Sequence, residues 1–155
     1  MELAVGDKAP SFKLAVEGGT LYAAKLKGTA YVLYFYPKDN TSGCTREAID
    51  FSKHIKAFEK IGVTVIGVSK DSLASHDGFA RKHKLKLVLA SDEEIETARA
   101  FGVWVEKKLY GRTFMGMERA TFLIDGKGIL RAVWRKVKVE GHAGKVLDAA
   151  AALKA

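Results

Sequence analysis

The sequence predicts an α/β fold: a central mixed β-sheet with helices on both faces and an N-terminal hairpin. Three observations predict it. Apolar runs of strand length alternate with segments whose apolar residues recur at helical spacing. The run 31–36 is unbroken, as suits a strand buried on both faces, and 63–68 reads as a second central strand. Near the end, two further runs flank Asp125-Gly126-Lys127-Gly128, an antiparallel turn. A length of 155 residues suits one domain, 1–155.

In chain order, 12–16 and 20–26 flank Glu17-Gly18-Gly19 and read as the hairpin. Pro37 ends the strand that begins at Tyr31. From Cys44 to Lys60, Ala48, Phe51, Ile55 and Phe58 share a helical face, and Gly62 closes the segment. After the strand at 63–68, Asp71 or Ser72 can cap a helix through about Lys82. A short strand is expected at 85–89, then a helix capped by Ser91 or Asp92 through Phe101. Strands at 120–124 and 129–133 precede an Ala-rich helix at 142–153. This order suits a thioredoxin-like sandwich.

Composition excludes several classes. Apolar content of 48% and charged content of 28% are ordinary for a soluble fold. The longest apolar runs fall well short of the roughly 20 residues of a membrane helix, so no membrane partner is expected. The first residues lack a basic patch followed by an apolar stretch, and a cytoplasmic location is expected. Net charge is +8, with basic residues denser after Glu106. Without a zinc-finger or RNP motif the charge reads as solvated lysines and arginines, with no nucleic-acid partner. His54, His76, His83 and His142 lack metal-ligand spacing and read as surface or helix residues. Neither a metal nor an organic cofactor is implied.

The chain has a single cysteine, Cys44, so an internal disulfide is impossible. It follows Tyr36-Pro37-Lys38-Asp39-Asn40-Thr41-Ser42-Gly43, where a central strand passes through a loop into a long helix. Ligands of open α/β sheets bind at the carboxyl ends of strands. Amides at a helix start are unpaired and carry partial positive charge, which favours a thiolate. Helix N-termini and nearby cations lower a thiol pKa from about 8.5 to roughly 3.5–7.5. That gain in thiolate is roughly 30-fold at pH 7, too little on its own for efficient thiolate catalysis. Fixed donors beside the sulfur, each contributing on the order of 10²–10³, would have to supply the rest. The chemistry needs a sulfur that substrate can reach and a guanidinium close to it.

Pro37, Thr41 and Cys44 match the peroxiredoxin motif, and the string 34–41 resembles the bacterioferritin-comigratory/PrxQ branch. Met117-Glu118-Arg119-Ala120-Thr121 resembles that branch's strand carrying the active-site arginine. The start at 6–12 and the segment 137–147 extend the likeness over nearly the whole chain. The resemblance implies a thiol-dependent peroxidase that reduces hydrogen peroxide and organic hydroperoxides. Cys44 would be the nucleophile and pass through a sulfenic acid. Thr41 would bond the peroxide, Arg119 would stabilise thiolate and transition state, and Pro37 would shield the sulfur. The amides of Gly43 and Cys44 would complete the substrate site. Glu47 would either orient an arginine or be an exposed helix carboxylate.

Resolving cysteines of that branch would fall at Ile49 or Ala80, and neither is cysteine. The resemblance therefore implies recycling by an external thiol: thioredoxin, glutaredoxin or glutathione. It also suggests a monomer or weak homodimer. Ser42 departs from the branch's usual proline. Two other readings compete: a monothiol thiol–disulfide oxidoreductase, and a binding module using the basic face.

Overall fold

The structure, a computed structural model, describes residues 2–153. Its sheet has seven strands in the order β2 (Gly19–Tyr22), β1 (Lys13–Val16), β5 (Val88–Ser91), β4 (Thr64–Ser69), β3 (Tyr31–Phe35), β8 (Ala120–Ile124), β9 (Leu130–Trp134). The hairpin β1 (Lys13–Val16) and β2 (Gly19–Tyr22) forms one edge. The central strand β3 (Tyr31–Phe35) runs parallel to β4 (Thr64–Ser69) and antiparallel to β8 (Ala120–Ile124). β4 pairs in parallel with β5 (Val88–Ser91), and β8 pairs with β9 (Leu130–Trp134). This is a thioredoxin-fold sheet.

Every residue of β3 and β8 is buried, which explains their unbroken apolar sequence. Alternation sends Tyr31, Leu33 and Phe35 into one core, with Phe101 and Phe122. Val32 and Tyr34 enter the opposite core. That second core receives Phe51 of α1 (Ser42–Lys53), Phe58 of α2 (Ile55–Lys60), Phe79 of α3 (Leu73–His83) and Val146 of α5 (His142–Ala152). α4 (Glu96–Ala100) packs Ala98 into the first core. Helices thus cover both faces.

Four local expectations need correction. The second hairpin strand stops at Tyr22, and Ala23–Leu26 form a 3-10 turn. The helix expected at 44–60 starts two residues earlier and breaks at His54 into α1 and α2. Lys84 takes a left-handed conformation and Leu85 N–H returns to Ala80 O at 2.9 Å, so the strand expected at 85–89 begins only at Val88. α4 is shorter than expected because Ile95 is left-handed. Asp92 still serves its start, accepting from Thr97 N–H at 3.3 Å and Ala98 N–H at 2.8 Å.

The largest unforeseen element is the ribbon of β6 (Trp104–Leu109) and β7 (Arg112–Met117), which pair only with each other. Its turn is Tyr110-Gly111, with φ of 52° and 74°. Positive φ at both positions suits a tight hairpin, but a tyrosine disguises the usual Asn-Gly signal.

Candidate active site

β3 delivers the chain to the site. Tyr36 N–H extends the ladder to Val68 O at 3.0 Å, and Pro37, half-buried, leaves it. Asn40 turns the loop with φ of 64°. Thr41 is the extended residue before α1, but its hydroxyl does not cap the helix. It donates instead to Lys38 O at 2.9 Å. The first helical bond runs from Thr45 N–H to Thr41 O, so the amides of Ser42, Gly43 and Cys44 are left at the positive end of the helix.

Arg119 arrives from the short link between β7 and β8. Its Nη2 donates to Cys44 Sγ at 3.3 Å, and its Nη1 donates to Glu47 Oε1 at 2.7 Å. Glu47 lies three residues after Cys44, on the same helical face. It is buried, which resolves its two sequence readings in favour of the arginine partner. Its second oxygen, Oε2, is buried without a partner. Burial pushes the Glu47 carboxyl up to about 7, although Arg119 opposes the shift. Burial disfavours the Arg119 charge, but its contacts with Glu47 and the Cys44 sulfur outweigh it and raise the guanidinium pKa. Gly43 allows the approach: a Cβ there would stand 3.1 Å from Arg119 Nη2.

Cys44 is only 1% exposed, so the sulfur is not open to solvent as the chemistry required. The cover is thin. Thr41 and Ser42 are exposed, Gly43 is half-buried, and the Arg119 side chain is 18% exposed. Beneath the sulfur, in the same core, the Tyr34 ring stacks on Phe51 with centroids 4.6 Å apart. The Tyr34 hydroxyl is buried and unpartnered. Burial first, then the charges of Glu47 and Cys44, hold it protonated. Gly67 makes room for the ring, since a Cβ there would come within 2.7 Å of it.

A second buried network anchors the loop from its other side. Asp39 accepts from Tyr36 Oη–H at 2.6 Å and Ser75 Oγ–H at 2.8 Å. His76 Nδ1 lies 2.8 Å from the same carboxylate, and Nε2 lies 2.9 Å from Ala90 O. Both ring nitrogens are thus within hydrogen-bond distance of an oxygen. Asp39 N–H donates to Asp71 Oδ2 at 2.8 Å. Burial alone would raise the Asp39 carboxyl; the bonds from His76, Tyr36 and Ser75 outweigh it and bring it below the ordinary value. Of the histidines read as surface or helix residues, His76 lies on α3 and His142 on α5, and neither is at the surface. The latter is buried, 2.7 Å from Thr121 Oγ1, and burial together with Lys145 and Arg119 lowers it to about 4. Asp39 sits in the recognised loop, but nothing in the sequence announces a partner 37 residues away.

The wider comparisons agree with this architecture. The AhpC/TSA family profile matches residues 5–133. A putative Bcp peroxiredoxin of Coxiella burnetii is 46% identical over 148 residues, covering 95% of this chain and 98% of that protein. Peroxiredoxin Bcp of Bacillus subtilis is 46% identical over 149 residues, 96% of this chain and 95% of the relative. Among solved structures, a cysteine-to-serine variant of Xylella fastidiosa PrxQ superposes with a TM-score of 0.93 at 36% identity, covering 100% and 99% of the two chains. The Xanthomonas campestris bacterioferritin comigratory protein, captured in trapped intermediate and ligand complexes bearing on its alkyl peroxide reduction activity, gives 0.87 at 43% identity over 91% and 90%. The chain belongs to the AhpC/TSA family, among its Bcp/PrxQ peroxiredoxins.

Proposed function

We infer that the protein is a thiol peroxidase whose nucleophile is Cys44. The observation that carries the reading is the guanidinium of Arg119 held between Cys44 Sγ and the Glu47 carboxylate at the open end of α1. Paired with one anion and facing a second, that guanidinium stabilises charge on sulfur before attack and on oxygen during it.

In the proposed cycle, the Cys44 thiolate attacks one oxygen of ROOH. An S–O bond forms, the O–O bond breaks, and RO⁻ takes a proton from water to leave as ROH. Thr41, whose proton is committed to Lys38 O, accepts the peroxide's O–H bond and so orients it. The amides of Gly43 and Cys44 and the free edge of Arg119 receive the developing charge. Pro37 keeps water from the sulfur. One external thiol then condenses with the sulfenic acid, releasing water, and a second reduces the mixed disulfide to regenerate Cys44. The thiol pools of the cytoplasm suit that reductant, whether thioredoxin, glutaredoxin or glutathione. The protein acts as a monomer or weak homodimer.

A peroxide of two linked oxygens needs only small displacements of the thin cover to reach the sulfur. Substituting Cys44→Ser tests the assignment: peroxide consumption with added thiol is expected to vanish, with the fold intact by circular dichroism. Turnover retained in that variant refutes it.

A further inference from the structure

The ribbon of β6 and β7 carries half of the exposed large apolar side chains among the described residues: Leu109, Tyr110, Phe114 and Met115. Tyr110, at the turn, is 96% exposed. Lys108 and Arg112 are interleaved with them and also exposed, and Glu106 is the ribbon's only acidic residue. The register sorts these groups by face. Leu109 pairs with Arg112, placing both on one face with Phe114; Lys108 pairs with Thr113, placing both on the other with Met115. Each face of the tip is therefore both apolar and cationic.

A protein partner pressed against one face would leave the other face's apolar groups in water. A medium that surrounds the tip would cover both. We propose that the ribbon docks end-on into an anionic lipid bilayer surface, with Tyr110 and its apolar neighbours at the headgroup–acyl boundary and Lys108 and Arg112 on lipid phosphates. The ladder and two-residue turn pair the tip's inner backbone groups, which permits shallow insertion. The ribbon's base leads directly to Arg119. The tip lies at the opposite end of the ribbon from this base, so end-on docking holds the sulfur site on the order of 20 Å from the boundary, and the ribbon refines the expectation of no membrane partner: it touches a bilayer without spanning it. Binding stands apart from the peroxidase reading, whereas any preference for lipid hydroperoxides rests on it.

Co-flotation of the full chain with vesicles tests the proposal. Binding is expected to phosphatidylcholine–phosphatidylglycerol vesicles, weakening as salt rises, and not to pure phosphatidylcholine. Lys108→Gln with Arg112→Gln removes two cations and is expected to weaken binding roughly 30-fold. Leu109→Ser with Tyr110→Ser is expected to weaken it more than about 10-fold. Both variants are expected to keep the wild-type rate of Cys44 oxidation by hydrogen peroxide, which also reports intact folding. Wild-type protein that stays with the unbound fraction overturns the proposal, as does equal binding by the variants. A wild-type dimer that the tip substitutions dissolve would assign the ribbon to a second copy instead.

Discussion

Two buried side-chain pairs hold the nucleophile's surroundings, and they are built to different standards. Asp39 and His76 are fully partnered: the carboxylate collects three donors, and each ring nitrogen faces an acceptor. Glu47 and Arg119 are not. One carboxylate oxygen is orphaned, the Glu47 carboxyl is raised to about 7 by burial, and the guanidinium is shared with a sulfur. A satisfied pair fixes position; an unsatisfied one stores electrostatic capacity that a reaction can draw on. The first pair is the loop's anchor, and the second is the reacting machinery.

Breaking the anchor should cost stability most. Asp39→Ala leaves Tyr36 Oη, Ser75 Oγ and His76 Nδ1 without their shared partner and is expected to lose about 3–5 kcal/mol in urea unfolding. A loss below about 1 kcal/mol would mean that the two pairs do not differ as described. Arg119→Ala should strike rate: the second-order oxidation of Cys44 is expected to fall on the order of 10²–10³-fold in stopped-flow measurements. A drop of less than about 10-fold would remove Arg119 from the charge-stabilising role.

The Glu47→Gln substitution sharpens the contrast through pH. In the unfolded chain Glu47 titrates near its ordinary 4.5, in the fold near 7. Between those values the folded state binds more protons, so this group's stabilisation is complete below about 4.5 and is lost as pH rises through about 7. The variant lacks that loss. It is expected to gain on wild type across the window by on the order of 3 kcal/mol. His142, lowered to about 4, slopes the opposite way between its ordinary 6.5 and that value, so the difference between the two proteins is the informative quantity. No pH-dependent difference would contradict the burial of an ionisable Glu47. Smallest is Gly43→Ala, whose new methyl would meet Arg119 Nη2 at 3.1 Å. A few-fold rate loss, roughly 0.5–1 kcal/mol, is expected with little change in stability.

Legibility followed the range of the physics. The strands β3, β4 and β8 could be read because burial on both faces writes itself into consecutive residues. Pro37, Thr41, Gly43, Cys44 and Glu47 could be singled out because they lie within eleven residues of one strand–loop–helix passage. Arg119 came only from family likeness, for nothing local distinguishes it from a solvated arginine. The Asp39–His76 bond, the packing of Gly67 on Tyr34 and the depth of the sulfur are long-range facts without a local signature. The ribbon was missed for another reason. Its exposed residues obey no core, so its strands carry no apolar alternation to read.

The most direct test of the account is intact mass after one equivalent of hydrogen peroxide, with and without prior alkylation. The account predicts the addition of one oxygen, blocked by alkylation of Cys44 and markedly slowed in Arg119→Ala. Unmodified protein after peroxide, or equal oxidation with and without the guanidinium, would contradict it.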